Sequence, residues 1–368
     1  MKKNILVDAH IFDDKYQGTR TYLKGLYSEL IPIANNWHFF LVARDIENLK
    51  KEFGAHQNVT YVQLKSKNKF RRLLIEFPQI IRNHKIEYAH FQYICPPIKN
   101  CKLVITIHDI LFEQSEFRKF FPLKYRVVNS FLFRWSSKKA DLLLTVSQYS
   151  RVKISELYNI PIDSIYITPN AVINNEYTEQ AVEARIASLG KFILYVSRVE
   201  PRKNHLGLLK AFVELNLAEK GYKLVFIGKK DILYKELETY ITNNLAKITG
   251  NVIWLHSISN KSLEAYYKNC ELFVFPSFAE GFGIPPLEAI AHKSKILCSK
   301  NTAMADFDLP DALVFDPNNI EELKYKMTVQ LASKEVQLQV YNKILAKYNW
   351  LKIAQDYFKL LEKHHNKV

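Results

Sequence analysis

The sequence predicts an α/β protein made of two parallel-sheet domains, and three observations support this. The chain has 368 residues, long for a single core and suited to two domains of ordinary size. Short apolar runs rich in β-branched and aromatic residues alternate with helical stretches almost from end to end. The alternation breaks once, over the polar stretch 170–190, and resumes at Phe192. The expected organisation is therefore a first domain over 1–172, a linker over 173–190, a second domain over 191–347 and a terminal helix over 348–368.

In the first half the apolar runs Asn4–Asp8, His38–Val42, Thr60–Val62, Tyr88–Phe91, Leu103–Thr106, Leu142–Val146 and Ile165–Ile167 read as strands. Helical stretches at Thr19–Leu30, Phe70–Asn83 and Pro122–Ser137 lie between several of them. In the second half strands are expected at Phe192–Val196, Lys223–Ile227, Val252–Leu255, Leu272–Phe275 and Lys295–Cys298. The intervening helices are Leu206–Leu217, Leu233–Leu245, Ser262–Asn269 and Pro286–Ala291. The last helix, from Trp350 to about Lys363, places Trp350, Ile353, Ala354, Tyr357, Leu360 and Leu361 on one face.

The apolar run that follows Met1 stops at Asp8 after three residues, which marks a strand and not an export signal. No apolar run approaches the length of a membrane span. Four cysteines without metal-type spacing suit a reduced, cytoplasmic protein. The net charge of +15 is unevenly placed, because Lys65 to Lys139 holds 16 Lys/Arg against five Asp/Glu. Those cations are interleaved with Phe, Leu, Tyr and Trp135, a composition suited to an anionic membrane surface on the inner face of the cytoplasmic membrane. A solvated basic face is the plain alternative. Nucleic acid is a third partner class, but no helix-turn-helix, zinc, RNP or KH signature accompanies the charge.

The chemistry concentrates at strand ends. Glu280 and Glu288 lie in Pro276-Ser277-Phe278-Ala279-Glu280-Gly281-Phe282-Gly283-Ile284-Pro285-Pro286-Leu287-Glu288-Ala289. The Gly-Phe-Gly turn follows a buried strand, and the proline pair suits the first positions of a helix. Glu280 thus sits at the carboxyl end of a strand and Glu288 in the opening turns of the next helix. That edge of an open α/β sheet is where ligands bind, and helix N–H groups there hold anions. Both acids are also simply favoured by the helix macrodipole. Arg198 leaves the end of another strand and Lys203 follows in the loop before a helix, two cations able to converge on phosphate groups and stabilise developing negative charge. Arg202 between them reads as a surface charge. Tyr16, Gly18, Thr19 and Arg20 open the first long helix, and His108-Asp109 ends a strand. A lone histidine is usually structural, but one at such an edge points toward a ligand, with Asp109 fixing its tautomer or a loop. Gly228, Lys229, Ser257 and Ile258 end two strands of the second domain. Asp306-Phe307-Asp308 formally fits an Asp-x-Asp metal pattern, without neighbouring acids or histidines to support it.

Taken together, the two-Glu segment and the Arg198…Lys203 pair resemble family 4 glycosyltransferases, retaining enzymes with the GT-B fold. The resemblance runs from Asn4 to the terminal helix, with its specific motifs between Tyr195 and Glu288. It implies two Rossmann-like domains facing across a cleft, with the C-terminal helix returning to the first. It also implies a hexosyltransferase that needs no metal or other cofactor. By the same resemblance Arg198 and Lys203 hold the donor diphosphate, Glu280 touches the donor sugar and Glu288 the ribose. Gly18, Gly228, Lys229, Ser257, Ile258, Gly281, Phe282, Gly283 and Ile284 complete the donor site. Tyr16, Thr19, Arg20, His108 and Asp109 face the acceptor, and Glu280, His108, Arg198 and Lys203 are the catalytic candidates. Three departures stand out: one glycine in the Gly18 loop where two or three are usual, Ala171 in place of glycine after Asn170, and His256 in place of glycine in the base-binding loop. The Ser197–Asn204 and Gly228–Lys230 stretches look most like bacterial mannosyl- and rhamnosyltransferases of surface-polysaccharide assembly. GDP-mannose is the first expectation for the donor, with dTDP-rhamnose, a UDP-sugar or GDP-fucose as alternatives and a lipid-linked or oligosaccharide acceptor. A non-catalytic nucleotide-sugar binder and a nucleic-acid binder are the remaining classes.

Overall fold

The computed structural model describes residues 2–13, 18–172, 186–230 and 234–366. The chain divides into two compact units, one comprising residues 1–171 with 348–368, the other residues 172–347. Residues 173–185 of the expected linker lie outside the described residues.

The first unit is built on seven parallel strands: β1 (Lys3–Asp8), β2 (Trp37–Ala43), β3 (Val59–Gln63), β4 (Tyr88–Gln92), β5 (Lys102–Thr106), β6 (Leu142–Thr145) and β7 (Ile165–Ile167). Their order in the sheet is β3-β2-β1-β4-β5-β6-β7. The chain builds outward from β1 in one direction, then resumes at β4 on its other side. The direction of winding therefore reverses between β1 and β4, and ligands bind outside the carboxyl ends at such a point. The central strands are buried on both faces, which is why they read as unbroken apolar runs.

The second unit repeats the plan with six parallel strands: β8 (Lys191–Val196), β9 (Tyr222–Ile227), β10 (Val252–Leu255), β11 (Leu272–Phe275), β12 (Ile296–Ser299) and β13 (Val314–Phe315). Their order is β10-β9-β8-β11-β12-β13, so winding reverses between β8 and β11. β13 is a two-residue strand that pairs with β12 through Val314 and Phe315, too short for any periodicity to signal it.

The terminal helix Trp350–Asn366 belongs to the first unit and packs on the helix Gly18–Ile33. Gly25 makes the approach close: a Cβ there would lie 2.0 Å from Trp350 Cε2. At the far end Glu362 receives the Lys3 ammonium at 3.0 Å and the Trp37 indole N–H.

Candidate active site

In the second unit, the loops after β8 and β11 are tied together at the reversal point. Asn204 adopts a left-handed conformation (φ 55°) and caps the helix His205–Glu214 by accepting from Gly207 N at 3.1 Å. Its amide donates across to the carbonyl of Pro276 at 3.1 Å, at the end of β11. Buried Tyr195 donates its hydroxyl to the Lys203 carbonyl at 2.7 Å. These bonds fix the loop that carries three cations.

Lys203 donates to both carboxylate oxygens of Glu280, at 2.6 and 2.8 Å. Arg202 reaches Glu280 Oε2 at 3.2 Å, donates to the Ala279 carbonyl, and reaches Glu200 Oε2 at 3.3 Å. Arg198 meets the other oxygen of Glu200 at 2.6 Å. The network runs Arg198–Glu200–Arg202–Glu280–Lys203, exposed at Arg198 and buried at Glu280. Arg202 is thus a correction to the sequence reading: it lies inside the cluster, not on the surface. Burial alone would push the Glu280 carboxyl up, but Lys203 and Arg202 hold it below the usual carboxylate range. Glu280 N donates to Thr302 Oγ1 at 2.8 Å, which pins its backbone.

Glu288 sits in the helix Ile284–Ala291, whose first turn contains both prolines. Its Oε2 accepts from the Tyr267 hydroxyl at 2.8 Å. Burial pushes its carboxyl above the usual range, although the Tyr267 hydroxyl opposes that shift. Gly283 precedes the helix at φ 105°, a conformation that side chains rarely adopt. Gly281 and Phe282 are buried beside it, and Phe282 packs edge-on against Phe307 at 5.5 Å. Gly228 turns the chain after β9 with φ 148°, and a Cβ there would overlap the Ser197 carbonyl at 2.0 Å. The Lys229 carbonyl accepts from Val199 N at 2.8 Å, so this turn braces the Arg198 loop. Ser257 and Ile258 follow β10, with Ser257 exposed. Among the described residues Asp306 joins no group of three or more metal-ligating side chains; it lies on the 3-10 helix Thr302–Phe307, and Asp308 takes the left-handed turn after it.

In the first unit a cavity of about 270 Å³ opens at the β1/β4 reversal point. Asp8 and His10 line it from the end of β1, and Gln92 and Tyr93 from the end of β4. Lys69 and Arg72 supply two cations from the adjoining helix. Asp8 Oδ1 lies 2.7 Å from His10 Nδ1, an aspartate–histidine pair the sequence reading did not single out. Of the expected acceptor residues, Thr19 lines this cavity. Arg20 instead pairs with Glu52 at 2.8 Å and covers the Phe12 ring. Asp109 accepts from Leu111 N at 3.2 Å, a bond that shapes the loop. Tyr16 lies outside the described residues.

His108 is buried and reaches the cavity through Gln92, whose Oε1 lies 2.7 Å from His108 Nε2. The Gln92 amide nitrogen faces His90 Nε2 at 3.2 Å. An amide that donates to His90 accepts from His108, which places the His108 proton on Nε2 and leaves Nδ1 an acceptor. Burial pushes the His108 ring down to about 3, so it is neutral at physiological pH. His90 continues the network to Thr106 at 2.7 Å and Tyr27 at 2.6 Å. His108 is therefore the outer end of a buried hydrogen-bond chain.

Two family models match the chain: Glycosyltransferase Family 4 over residues 17–175 and Glycosyl transferases group 1 over residues 177–344. The chain belongs to glycosyltransferase family 4. It is 29% identical to the O-antigen chain mannosyltransferase B of Escherichia coli over 77% of this chain and 81% of the relative. It is 28% identical, over 64% of each chain, to the N-acetylgalactosamine-N,N'-diacetylbacillosaminyl-diphospho-undecaprenol 4-alpha-N-acetylgalactosaminyltransferase of Campylobacter jejuni. Its fold matches that of the sucrose-phosphate synthase of Thermosynechococcus elongatus with a TM-score of 0.77 at 16% identity, over the whole of both chains. The protein is a glycosyltransferase with the GT-B fold, a hexosyltransferase by family. Among the described residues no helix is long and apolar enough to cross a membrane.

Proposed function

We propose that this glycosyltransferase moves mannose from GDP-mannose, with retention of configuration, onto a hydroxyl of a lipid-linked oligosaccharide during O-antigen or related surface-polysaccharide assembly. The reaction takes place at the inner face of the cytoplasmic membrane. The observation that carries the reading is the Lys203–Glu280–Arg202 cluster at the β8/β11 reversal point. The name of the E. coli relative supports mannose as the transferred sugar, and that of the C. jejuni relative supports a diphospho-lipid acceptor.

Without donor, Lys203 and Glu280 satisfy each other. When the diphosphate arrives, Lys203 turns to it beside Arg198, and Glu280 keeps its bond to Arg202 while its freed oxygen accepts from a sugar hydroxyl. Glu288 meets the ribose, and the turns at Gly228 and Gly283 let backbone approach the nucleotide. The bond from the anomeric carbon to the phosphate oxygen breaks as the acceptor oxygen attacks the same face. The acceptor proton passes to the leaving diphosphate, whose charge Arg198 and Lys203 offset. These cations supply the charge compensation, so the scheme includes no metal ion. Neutral His108 acts in the first unit as a positioning residue, holding the Gln92 amide that lines the cavity.

The test is turnover of purified protein with GDP-mannose, dTDP-rhamnose, UDP-glucose and GDP-fucose on a detergent-solubilised undecaprenyl-diphosphate oligosaccharide, with the product anomer read by NMR. Transfer from GDP-mannose with retention is expected. Transfer only from another donor, or an inverted product, overturns the proposal.

A further inference from the structure

The helix Leu123–Lys139 buries little of itself: only Phe133, Ser136 and Ser137 are buried. Its outer side carries Leu123, Val127 and Phe131, spaced i, i+4, i+8 on one stripe. These residues are 65%, 62% and 70% exposed. A surface helix ordinarily turns such a stripe to the core; this one turns it to solvent. The helical segment beginning at Lys69 repeats the arrangement, with Phe70 68% and Leu74 50% exposed. It continues through a π turn at Arg72–Glu76 into the helix Phe77–Asn83.

The two segments meet at the cavity already described. Lys69, Arg72 and Phe77 line it from one, Asn129 and Phe133 from the other. The exposed apolar residues therefore flank a single cavity that opens at a sheet reversal point. Charge selects what covers them. Residues 65–75 and 123–139 hold ten Lys/Arg and no Asp/Glu. A second copy of the chain would set these cations against their own kind.

We propose that this face docks on an anionic lipid bilayer. Leu123, Val127, Phe131, Phe70 and Leu74 enter the boundary between headgroups and acyl chains, and the surrounding lysines and arginines rest on lipid phosphates. The proposal deepens the lipid-linked acceptor reading by naming the surface that meets the membrane. Docking turns the cavity mouth toward the headgroup layer, where Lys69 and Arg72 face an acceptor phosphate.

The experiment is flotation of the full chain with vesicles of phosphatidylglycerol and phosphatidylcholine, or of phosphatidylcholine alone, at low and high salt. The wild type is expected on the anionic vesicles, with at least tenfold less on neutral ones and a marked loss in high salt. Leu123→Ser/Val127→Ser/Phe131→Ser is expected to weaken anionic binding at least tenfold while melting like the wild type, since these side chains support no core. Lys124→Glu/Lys138→Glu is expected to act in the same direction. Equal binding to both vesicle types, no binding at all, or full binding by the triple variant overturns the proposal. So does a wild-type dimer that the triple variant converts to monomer, because the face is then covered by a second copy. Transfer in detergent separates this inference from the reaction: turnover without vesicle binding sinks the docking alone, and docking without turnover sinks the reaction alone.

Discussion

Glu280 is held by two cations in a site where little water competes, and that has a cost if either side is removed. Breaking a buried pair leaves an uncompensated charge, whereas replacing both members is far less costly. Glu280→Gln is therefore expected to destabilise the second unit by about 3–5 kcal/mol in urea unfolding and to abolish transfer. Adding Lys203→Met should restore most of the stability and none of the turnover. A double variant that recovers activity would strip both residues of their roles, and a single variant of unchanged stability would mean that the pair is not formed in solution. Arg202 is the residue that pattern reading missed. Its position between Arg198 and Lys203 gave it the look of a spare charge, and only the return of the chain at β11 brings the Glu280 carboxylate and the Ala279 carbonyl to it.

At the scale of elements, most of the architecture was legible because both sheets are parallel and doubly covered, so each strand is an apolar run bounded by turn residues. The predicted strands lie within a residue or two of β1–β12, and the two glutamates fall where strand end and helix start required. Other features were not legible. β13 is too short to carry a period, the π turn at Arg72–Glu76 lies inside an ordinary helical pattern, and the Asp8–His10 pair joins residues whose partnership depends on the turn after β1. Carbonyl, hydroxyl and amide partners such as Tyr267 on Glu288 arise from tertiary packing, which a single sequence does not encode locally. The terminal helix was legible as amphipathic but not in its docking partner. That partner is the helix Gly18–Ile33, and Gly25 leaves the space that Trp350 fills. Gly25→Ala places a methyl into the indole and is expected to cost about 1–3 kcal/mol of first-unit stability, as overpacking does. Nucleotide binding by the second unit should remain at wild-type strength, read by calorimetry. A neutral or stabilising Gly25→Ala would show that the helix sits elsewhere.

Across the whole molecule the buried histidines make stability depend on pH. His90 and His108 in the first unit and His205 in the second are all pushed down to about 3, chiefly by burial; Lys203 adds a smaller contribution on His205, and His108 adds one on His90 once it is itself protonated in strong acid. In the unfolded chain each titrates near 6.5. Between those values the unfolded state binds protons that the native state refuses, so stability is complete above about pH 6.5 and falls as the solution is acidified toward 3. Each unit of pH below 6.5 removes about 1.4 kcal/mol per histidine. With two such groups, the first unit should lose on the order of 3 kcal/mol between pH 6.5 and pH 5. The Glu280 pair does not contribute in that window, because its carboxyl titrates below the usual range and the bond is lost only in stronger acid. Urea midpoints at pH 7, 6 and 5 are expected to decline steadily for the wild type. His90→Gln, which keeps polar atoms toward Thr106 and Tyr27, should show a shallower decline by about one proton. An identical slope in this variant would mean that His90 is charged or exposed in the folded protein, and the buried chain from Tyr27 to His108 would then have to be redrawn.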